Sequence, residues 1–488
     1  MGSGSGGLPG MSRRGFLKAG AAAGAAAGAG FGISGITALP AAAADDPVGV
    51  VPPRRGEKTM AGVPFEPHDV VRVGIIGLGM RGGGMVERFL NTPGVQITAL
   101  SDINPDKVAT AAQEVRDAGQ PDPAVYLGES DFENLAARDD VDFIYSATPW
   151  ELHYPIGISG MTNGKHVGVE LPLATYLNEL WDLVRTSERT RRHCFIFHNR
   201  SYGHEQLRML RLVDDGRLGD LLYGSGGYIH DLRSLNFSNR HEPEGWRRRW
   251  HTRMNTNHYP VHGLAPIANA MHINRGDRFD RLVSVTTPEA GYSEYRAANM
   301  PPDHPSWQEE YISGDTNMCF IQTVKGRFVQ GDHNVASPHP YSRANVLQGS
   351  KGKLTEVPTS SFADAWYAYL EPDHSDHEWR PFDDYAEYDH WLWTEPGLTR
   401  NADYLVVWRT MQCLRLGLVP DIDVYDSAVW SSPIPLCDES LKRGGRPVKV
   451  PDFTRGHWEE PRSGMNSTRP EETSLTSISQ GRNVAIGG

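Results

Sequence analysis

Cysteine is scarce in this chain, with four in 488 residues. Cys194, Cys319, Cys413 and Cys437 lie far apart, and no two have C-x-x-C spacing. That argues against a zinc ribbon or a dithiol redox motif, and buried free thiols are the expectation. Positive charge is short as well. Lys and Arg number 48 against 60 Asp and Glu, a formal net charge of −12. Such a balance argues against nucleic acid and anionic membranes as partners. Long apolar runs are also missing. The one candidate, the Ala/Gly-rich stretch after Arg14, is too rich in glycine to make a good membrane anchor. Hydrophobic residues at 39% and charged residues at 22% are ordinary for a globular chain with a sizeable core. The length suggests two domains.

The N-terminus reads as an address. "SRRGFLKAG" from Ser12 carries the twin arginines Arg13 and Arg14, and Ala42-Ala43-Ala44 offers an A-x-A cleavage site. Residues 1–44 are therefore expected to be a twin-arginine export signal, with Met11 as a natural start. The expected destination is periplasmic or extracellular. That route carries proteins already folded, so a cofactor can be loaded before export. Residues 45–69 read as a linker rich in Pro, Gly and charge, and the Ser/Thr/Asn/Gly-rich residues 462–488 as a flexible tail.

Between them the chain changes character once. "VRVGIIGLGMRGGGMVERFL" is an apolar strand, a glycine turn and a helix, and Gly77, Gly79 and Gly82 make G-x-G-x-x-G. A second strand, "VQITALSD", ends in Asp102. Strand, turn, helix and answering acid are the context that makes this motif a dinucleotide site. Asp102 would bind ribose hydroxyls and favour NAD over NADP, since no arginine follows it directly. Strands and helices alternate to about residue 200. The expected fold is α/β, with an N-terminal Rossmann doubly wound parallel sheet over 70–200. An α+β C-terminal domain over 201–461 follows, with a large, mostly antiparallel open sheet. Its last helices are expected to return toward the Rossmann domain, and its sheet to pair subunits in a homo-oligomer. "VKGR" at 324–327 reads as a hairpin turn and "NADYLVVWRTMQCLRLG" as a late amphipathic helix.

"HYPVHGLAPIANAMHINRGD", from His258 to Asp277, sets two histidines four apart. A zinc helix of the H-E-x-x-H type has that spacing, but the activating Glu is missing and Pro260 interrupts the helix. The better division is a turn, Tyr259-Pro260-Val261-His262, before a helix from Gly263, with His258 and His272 as bystanders and no metal.

"VGVELP" ends in Glu170-Leu171-Pro172. It resembles the strand ending in Glu-Lys-Pro of the glucose–fructose oxidoreductase and inositol dehydrogenase superfamily, with Leu171 in place of the lysine that assists sugar oxidation there. "TPWELH", "NRSYG", "GGYIHDLR", "YPVHGLAPIANAMHINRGD", "PYSR", "VLQGSKG" and "DVYDSAVWSSPIPL" follow in the order seen in glycoside hydrolase family 109. The resemblance runs from Val70 to about Pro451. It implies NAD-dependent hydrolysis of α-linked N-acetylgalactosamine, with NAD held tightly and recycled.

The resemblance also implies roles. Met80, Arg81, Asp102, Trp150, Glu151, Leu152, His153, Glu170, Leu171 and Asn199 look like cofactor contacts beside Gly77, Gly79 and Gly82. Tyr228, Arg247, Tyr341 and the run Tyr259, Pro260, Val261, His262 look like sugar contacts. His262 is expected as principal base with Tyr259 beside it, and Tyr202 and Tyr341 as further catalytic tyrosines. The implied cycle oxidises the sugar at C3, removes the C2 proton, eliminates the aglycone, adds water and reduces C3 again. The sequence departs from the family at Val261 for Thr, at Arg200-Ser201-Tyr202-Gly203-His204 for Cys-Cys-Tyr-Gly-Arg, and at "LTRNAD" ending in Asp403 for Gly-His-Gly-Gly-Met-Asp. An exported sugar oxidoreductase and a non-catalytic carbohydrate-binding protein are the alternatives.

Overall fold

A computed structural model describes residues 58–460, 464 and 465, apart from 239, 241, 242, 244, 361, 362 and 373–375. The expected export signal and all but two residues of the expected tail lie outside the described residues.

The first sheet is parallel throughout. Its strands are β1 (Val71–Ile76), β2 (Val95–Ser101), β3 (Ala124–Tyr126), β4 (Phe143–Ser146), β5 (His166–Val169) and β6 (Cys194–Ile196), in the order β3-β2-β1-β4-β5-β6. β4, β5 and β6 are buried at every residue, which is why they read as unbroken apolar runs rather than alternating ones. The order reverses between β1 and β4. Ligands of such sheets bind outside the carboxyl ends at that point.

The second sheet has nine strands: β7 (Leu221–Ile229), β8 (Phe279–Thr286), β9 (Thr316–Thr323), β10 (Phe328–Asn334), β11 (Val346–Gly349), β12 (Gly352–Ser360), β13 (Ala363–Leu370), β14 (Arg380–Pro381) and β15 (Val448–Lys449). Only β7 and β10 pair in parallel. Buried and half-buried residues alternate along β9, as expected for a sheet with one face on the core. Gly326 takes φ +82° in the β9–β10 turn, a left-handed conformation that glycine adopts without strain.

The helix Val261–Ala270 lies across β7 at backbone contact distance. A Cβ on Gly263 would fall 1.9 Å from the Gly227 nitrogen, and one on Gly226 would fall 2.1 Å from the Gly263 oxygen. Only glycines permit this approach, and it brings His262 against the Tyr228 ring at the end of β7, centroids 5.4 Å apart.

The helix Ala402–Leu416 corrects the amphipathic reading. Every residue from Tyr404 to Arg415 is buried. The helix Met80–Leu90 and the turn at 199–202 cover it. Residues 65–68 hydrogen-bond to its end and to the residue after its cap, His68 N to Leu414 O and Phe65 N to Leu418 O. Arg409 is tolerated inside because Asp421 pairs with it through two bonds of 2.9 Å. The next helix, Val424–Ser431, closes the edge of the first sheet. Its Ser427 and Ser431 hydroxyls accept the backbone N–H groups of Ile196 and Leu173, each at 3.0 Å.

Three buried histidines cluster with tilted and edge-on rings. Ring centroids are 4.3 Å apart for His251–His258, 5.7 Å for His258–His333 and 6.3 Å for His251–His333. Burial lowers all three, His258 to about 3; His258 also disfavours charge on His251 and His333, and His333 on His251. The folded state keeps them neutral, whereas the unfolded chain protonates near pH ~6.5. Their contribution to stability is therefore complete above that pH and declines as pH falls toward about 3. Each such histidine contributes a slope of up to ~1.4 kcal/mol per pH unit in that window. The melting temperature should drop steadily from pH 7 to pH 4.5, and a flat profile would contradict neutral burial.

Candidate active site

β1 ends at Ile76 and the chain turns at Gly77 with φ +84°. A Cβ there would lie 2.8 Å from the Ala147 carbonyl carbon, and a Cβ on Gly82 would lie 1.7 Å from the Gly77 oxygen. The glycines thus seat the helix Met80–Leu90 directly on the turn, with its unpaired N-terminal amides at the end of the sheet. Asp102 closes β2, accepting the Leu78 N–H at 2.5 Å and the Asn104 N–H at 2.8 Å. These residues fit a dinucleotide: a cradle without Cβ atoms, helix amides for the pyrophosphate and a carboxylate at the end of the next strand for the ribose, lining the same cavity.

One cavity of about 620 Å³ runs from this cradle to the second domain. Gly77, Gly79, Met80, Arg81, Asp102, Trp150, Glu151, Leu152, Glu170, Leu171 and Asn199 line one part, and Trp246, Arg247, Tyr259 and His262 the other. Lys107, Leu235, Arg240 and Pro243 also line it and carried no signal in the sequence.

Arg81 organises the middle of the cavity. Its Nε donates to Glu170 Oε1 at 2.7 Å and its Nη1 to Asp403 Oδ1 at 2.9 Å. Asn199 Nδ2 donates to the same Asp403 oxygen at 2.6 Å, and the Tyr145 hydroxyl to Glu170 Oε1 at 2.8 Å. Burial opposes charge on Arg81, but Glu170, Tyr145 and Asp403 outweigh it and hold the guanidinium ionised. Burial likewise opposes charge on Asp403, and Arg81 and Asn199 lower it on balance.

The far wall is aromatic. Trp150 stacks on Tyr259 with centroids 5.8 Å apart, and Tyr228 lies 4.7 Å from Tyr259 and 6.2 Å from Tyr341. The Arg247 guanidinium sits over Trp246, Trp150 and Tyr259 at 4.9, 5.2 and 5.3 Å. Its Nε is buried and has no hydrogen-bond partner among the described residues. Burial pushes the Tyr228 hydroxyl up to about 12, and the Tyr259 hydroxyl up as well. His230 joins this wall, its ring 5.1 Å from Tyr341 and its Nδ1 3.2 Å from the Tyr228 hydroxyl.

Two expected sugar contacts, Tyr228 and Tyr341, do not line the cavity: Tyr228 packs behind Tyr259, and Tyr341 behind Tyr228. Four other expected contacts point elsewhere. His153 is buried with Nδ1 2.6 Å from Pro172 O and Nε2 3.0 Å from Thr148 O, so its ring ties two loops together and does not reach the cavity. Tyr202 is buried on the opposite side, where its hydroxyl donates to Asp421 at 3.1 Å against the helix Ala402–Leu416. Pro260 and Val261 are buried at the start of the helix Val261–Ala270. The turn into the helix brings the Tyr259 and His262 rings together, centroids 5.0 Å apart, and puts the two residues between them in the core. That helix begins two residues earlier than expected, with His262 in its first turn. The two histidines of the H-x-x-x-H spacing diverge: His258 Nε2 bonds Ser313 Oγ at 3.1 Å, and His262 Nδ1 bonds His198 Nε2 at 3.1 Å. Among the described residues no cluster of three or more His, Cys, Asp or Glu side chains is placed to hold a metal. His198 and the pairing of Asp403 with Arg81 escaped the sequence reading.

The sequence model for the glycosyl hydrolase 109 C-terminal domain matches residues 202–460. That for the oxidoreductase family NAD-binding Rossmann fold matches residues 71–198. A glycosyl hydrolase family 109 protein of Streptomyces niveus is 51% identical over 441 residues, 89% of this chain and 87% of that protein. One of Saccharopolyspora erythraea is 51% identical over 464 residues, 94% and 97%. The chain belongs to glycosyl hydrolase family 109.

This family 109 member is a glycosidase with an NAD-binding Rossmann domain. Its fold is that of sugar oxidoreductases. An aldose-aldose oxidoreductase of Caulobacter crescentus, complexed with glycerol, superposes with TM-score 0.58 at 18% identity, over 78% of this chain and 100% of that one. A levoglucosan dehydrogenase complexed with NADH and levoglucosan gives 0.57 at 17%, again over 78% and 100%.

Gly82→Ala forces the family 109 helix off its turn. Overpacking of about 1–3 kcal/mol lowers the melting temperature, and where NAD binding must restore the native seat of the helix it weakens binding by about five- to 150-fold, read by calorimetry. Gly79→Ala meets no protein atom within 4 Å, so it should weaken NAD binding while melting at the wild-type temperature. Equal melting losses in the two variants would contradict this division.

Proposed function

We propose that this enzyme hydrolyses α-linked N-acetylgalactosamine or a closely related glycoside by transient oxidation of the sugar, with NAD held tightly and recycled. The observation that carries the reading is the single cavity in which the dinucleotide cradle and the His262–Tyr259–Arg247 wall meet. Ordinary glycosidases flank the bond with two carboxylates, and NAD-dependent ones are an exception. Glu170 is engaged at Oε1 by both Arg81 and Tyr145, which suits a fixed carboxylate better than a nucleophile.

Bound NAD supplies a hydride acceptor for the sugar and returns the hydride at the end of the cycle. The chain's own groups do the rest. Arg247, caged by three rings with Nε unpaired, presents a donor to a hydroxyl or acetamido oxygen. Trp150 and Trp246 offer apolar faces to the ring and exclude water. Tyr228 and Tyr341 back that wall, Tyr228 against Tyr259 and His262 and Tyr341 against Tyr228. His262 and Tyr259 face the same space, where each can hydrogen-bond the oxygen on C3 as charge changes there.

We also propose export through Arg13 and Arg14 with the cofactor already aboard. Among the described residues no helix is long and apolar enough to cross a membrane.

A panel of aryl glycosides of both anomers tests the reaction. Aglycone release without net NADH is expected; oxidised sugar without release would favour a sugar oxidoreductase. His262→Ala should lower kcat by at least about a hundredfold, and wild-type activity in that variant would sink the assignment. Burial, His198 and the guanidiniums of Arg200, Arg343 and Arg81 hold His262 well below the ordinary histidine range. Its neutral form therefore persists as pH falls, and kcat/KM should show no inflection near pH ~6.5. An inflection there that disappears in His262→Gln would contradict a neutral His262. Mass spectrometry of protein purified without added NAD and then denatured should find the dinucleotide.

A further inference from the structure

Behind His262 runs a chain of hydrogen bonds through the buried His198 and Ser201. Asn269 Nδ2 lies 3.3 Å from Ser201 Oγ, Ser201 Oγ 2.7 Å from His198 Nδ1, and His198 Nε2 3.1 Å from His262 Nδ1. His198 and Ser201 are both buried. The direction of this chain decides what His262 offers the cavity.

An amide nitrogen only donates, so Asn269 makes Ser201 Oγ an acceptor. The Ser201 hydroxyl proton then has one acceptor among the described residues, His198 Nδ1. Burial lowers His198 to about 3, and Arg200, Arg343 and Arg81 add to this, so the ring is neutral. A neutral imidazole with its lone pair on Nδ1 carries its proton on Nε2. That proton goes to His262 Nδ1. His262 in turn keeps its proton on Nε2, the nitrogen left for the cavity that it lines. The reverse direction would leave the buried Ser201 hydroxyl proton without an acceptor, which is unfavourable.

We infer that Ser201 and His198 are positioning residues that fix His262 as a neutral N–H donor toward the sugar. The inference rests on the proposed function for the atom addressed, the sugar oxygen that gains charge when the adjacent C2–H is lost. It gives His262 the donor's part in place of the base expected from the sequence. A neutral imidazole can polarise a carbonyl in this way, and a preorganised donor acts where charge develops. The hydrogen stays on Nε2 throughout, and the C2 proton passes to the Glu170 carboxylate, which lines the same cavity and is hydrogen-bonded through Oε1.

The test is nitrogen NMR of the full chain labelled with ¹⁵N-histidine, with NAD added and no sugar. His262, assigned by signal loss in His262→Gln, should show a protonated Nε2 and an unprotonated Nδ1. Asn269→Asp is isosteric but turns the donor at Ser201 into an acceptor. It should reverse the chain and move the His262 proton to Nδ1, with kcat falling about tenfold and KM changing less than roughly twofold. Ser201→Ala should give mixed tautomers and a similar fall in kcat. A wild-type His262 protonated on Nδ1, or an unchanged tautomer in folded Asn269→Asp, would overturn the proposal. The tautomer is read without substrate. A correct tautomer in a chain that cleaves no glycoside would therefore refute the reaction and leave the relay standing.

Discussion

The site depends on one half-buried guanidinium. Arg81 stands in the first turn of the helix that the glycine cradle seats, and its two carboxylate partners come from distant parts of the chain. Glu170 follows β5, and Asp403 opens the helix Ala402–Leu416, with Asn199 after β6 joining through Asp403. Charge-assisted bonds of this kind are short and directional. Three strand ends of the first sheet and a helix from the C-terminal half are thereby fixed around one point. Removing Arg81 would leave two largely buried carboxylates facing each other's field, which is costly where water is excluded.

From that point outward the cavity changes from charged to aromatic. The cradle and Arg81 suit an anionic dinucleotide. The caged Arg247 and the Trp150, Trp246 and Tyr259 rings suit a sugar, with apolar faces and a few directed donors. Burial keeps the hydroxyls of Tyr228 and Tyr259 protonated and His198 and His262 neutral. Protons at this wall are therefore governed by hydrogen-bond direction more than by bulk pH.

Much of this was legible in the sequence. The glycine turn, Asp102 and the alternation of strands and helices are contiguous signals, and the parallel sheet follows from them. Tyr259, His262 and Arg247 were found through the order of short motifs. What escaped depends on contacts between segments far apart in the chain. The helix Ala402–Leu416 read as one-sided, but residues 65–68 and the helix Met80–Leu90 cover its other faces. His198 is an ordinary strand-end histidine until the start of the helix Val261–Ala270 is laid against it. His153 and Tyr202 sit within motifs that line the cavity, but local geometry turns their side chains toward Pro172 and Asp421. A motif assigns a segment to a site, and the helical or turn phase decides which of its side chains reach it.

The central claim is that a glycosidic bond is broken here through loss and return of the proton on the carbon next to the oxidised one. Solvent deuterium tests it directly. Hydrolysis in D₂O should return sugar carrying deuterium at C2 and hydrogen at C3. Released sugar with no deuterium at C2 would show direct displacement at the anomeric carbon and contradict the account.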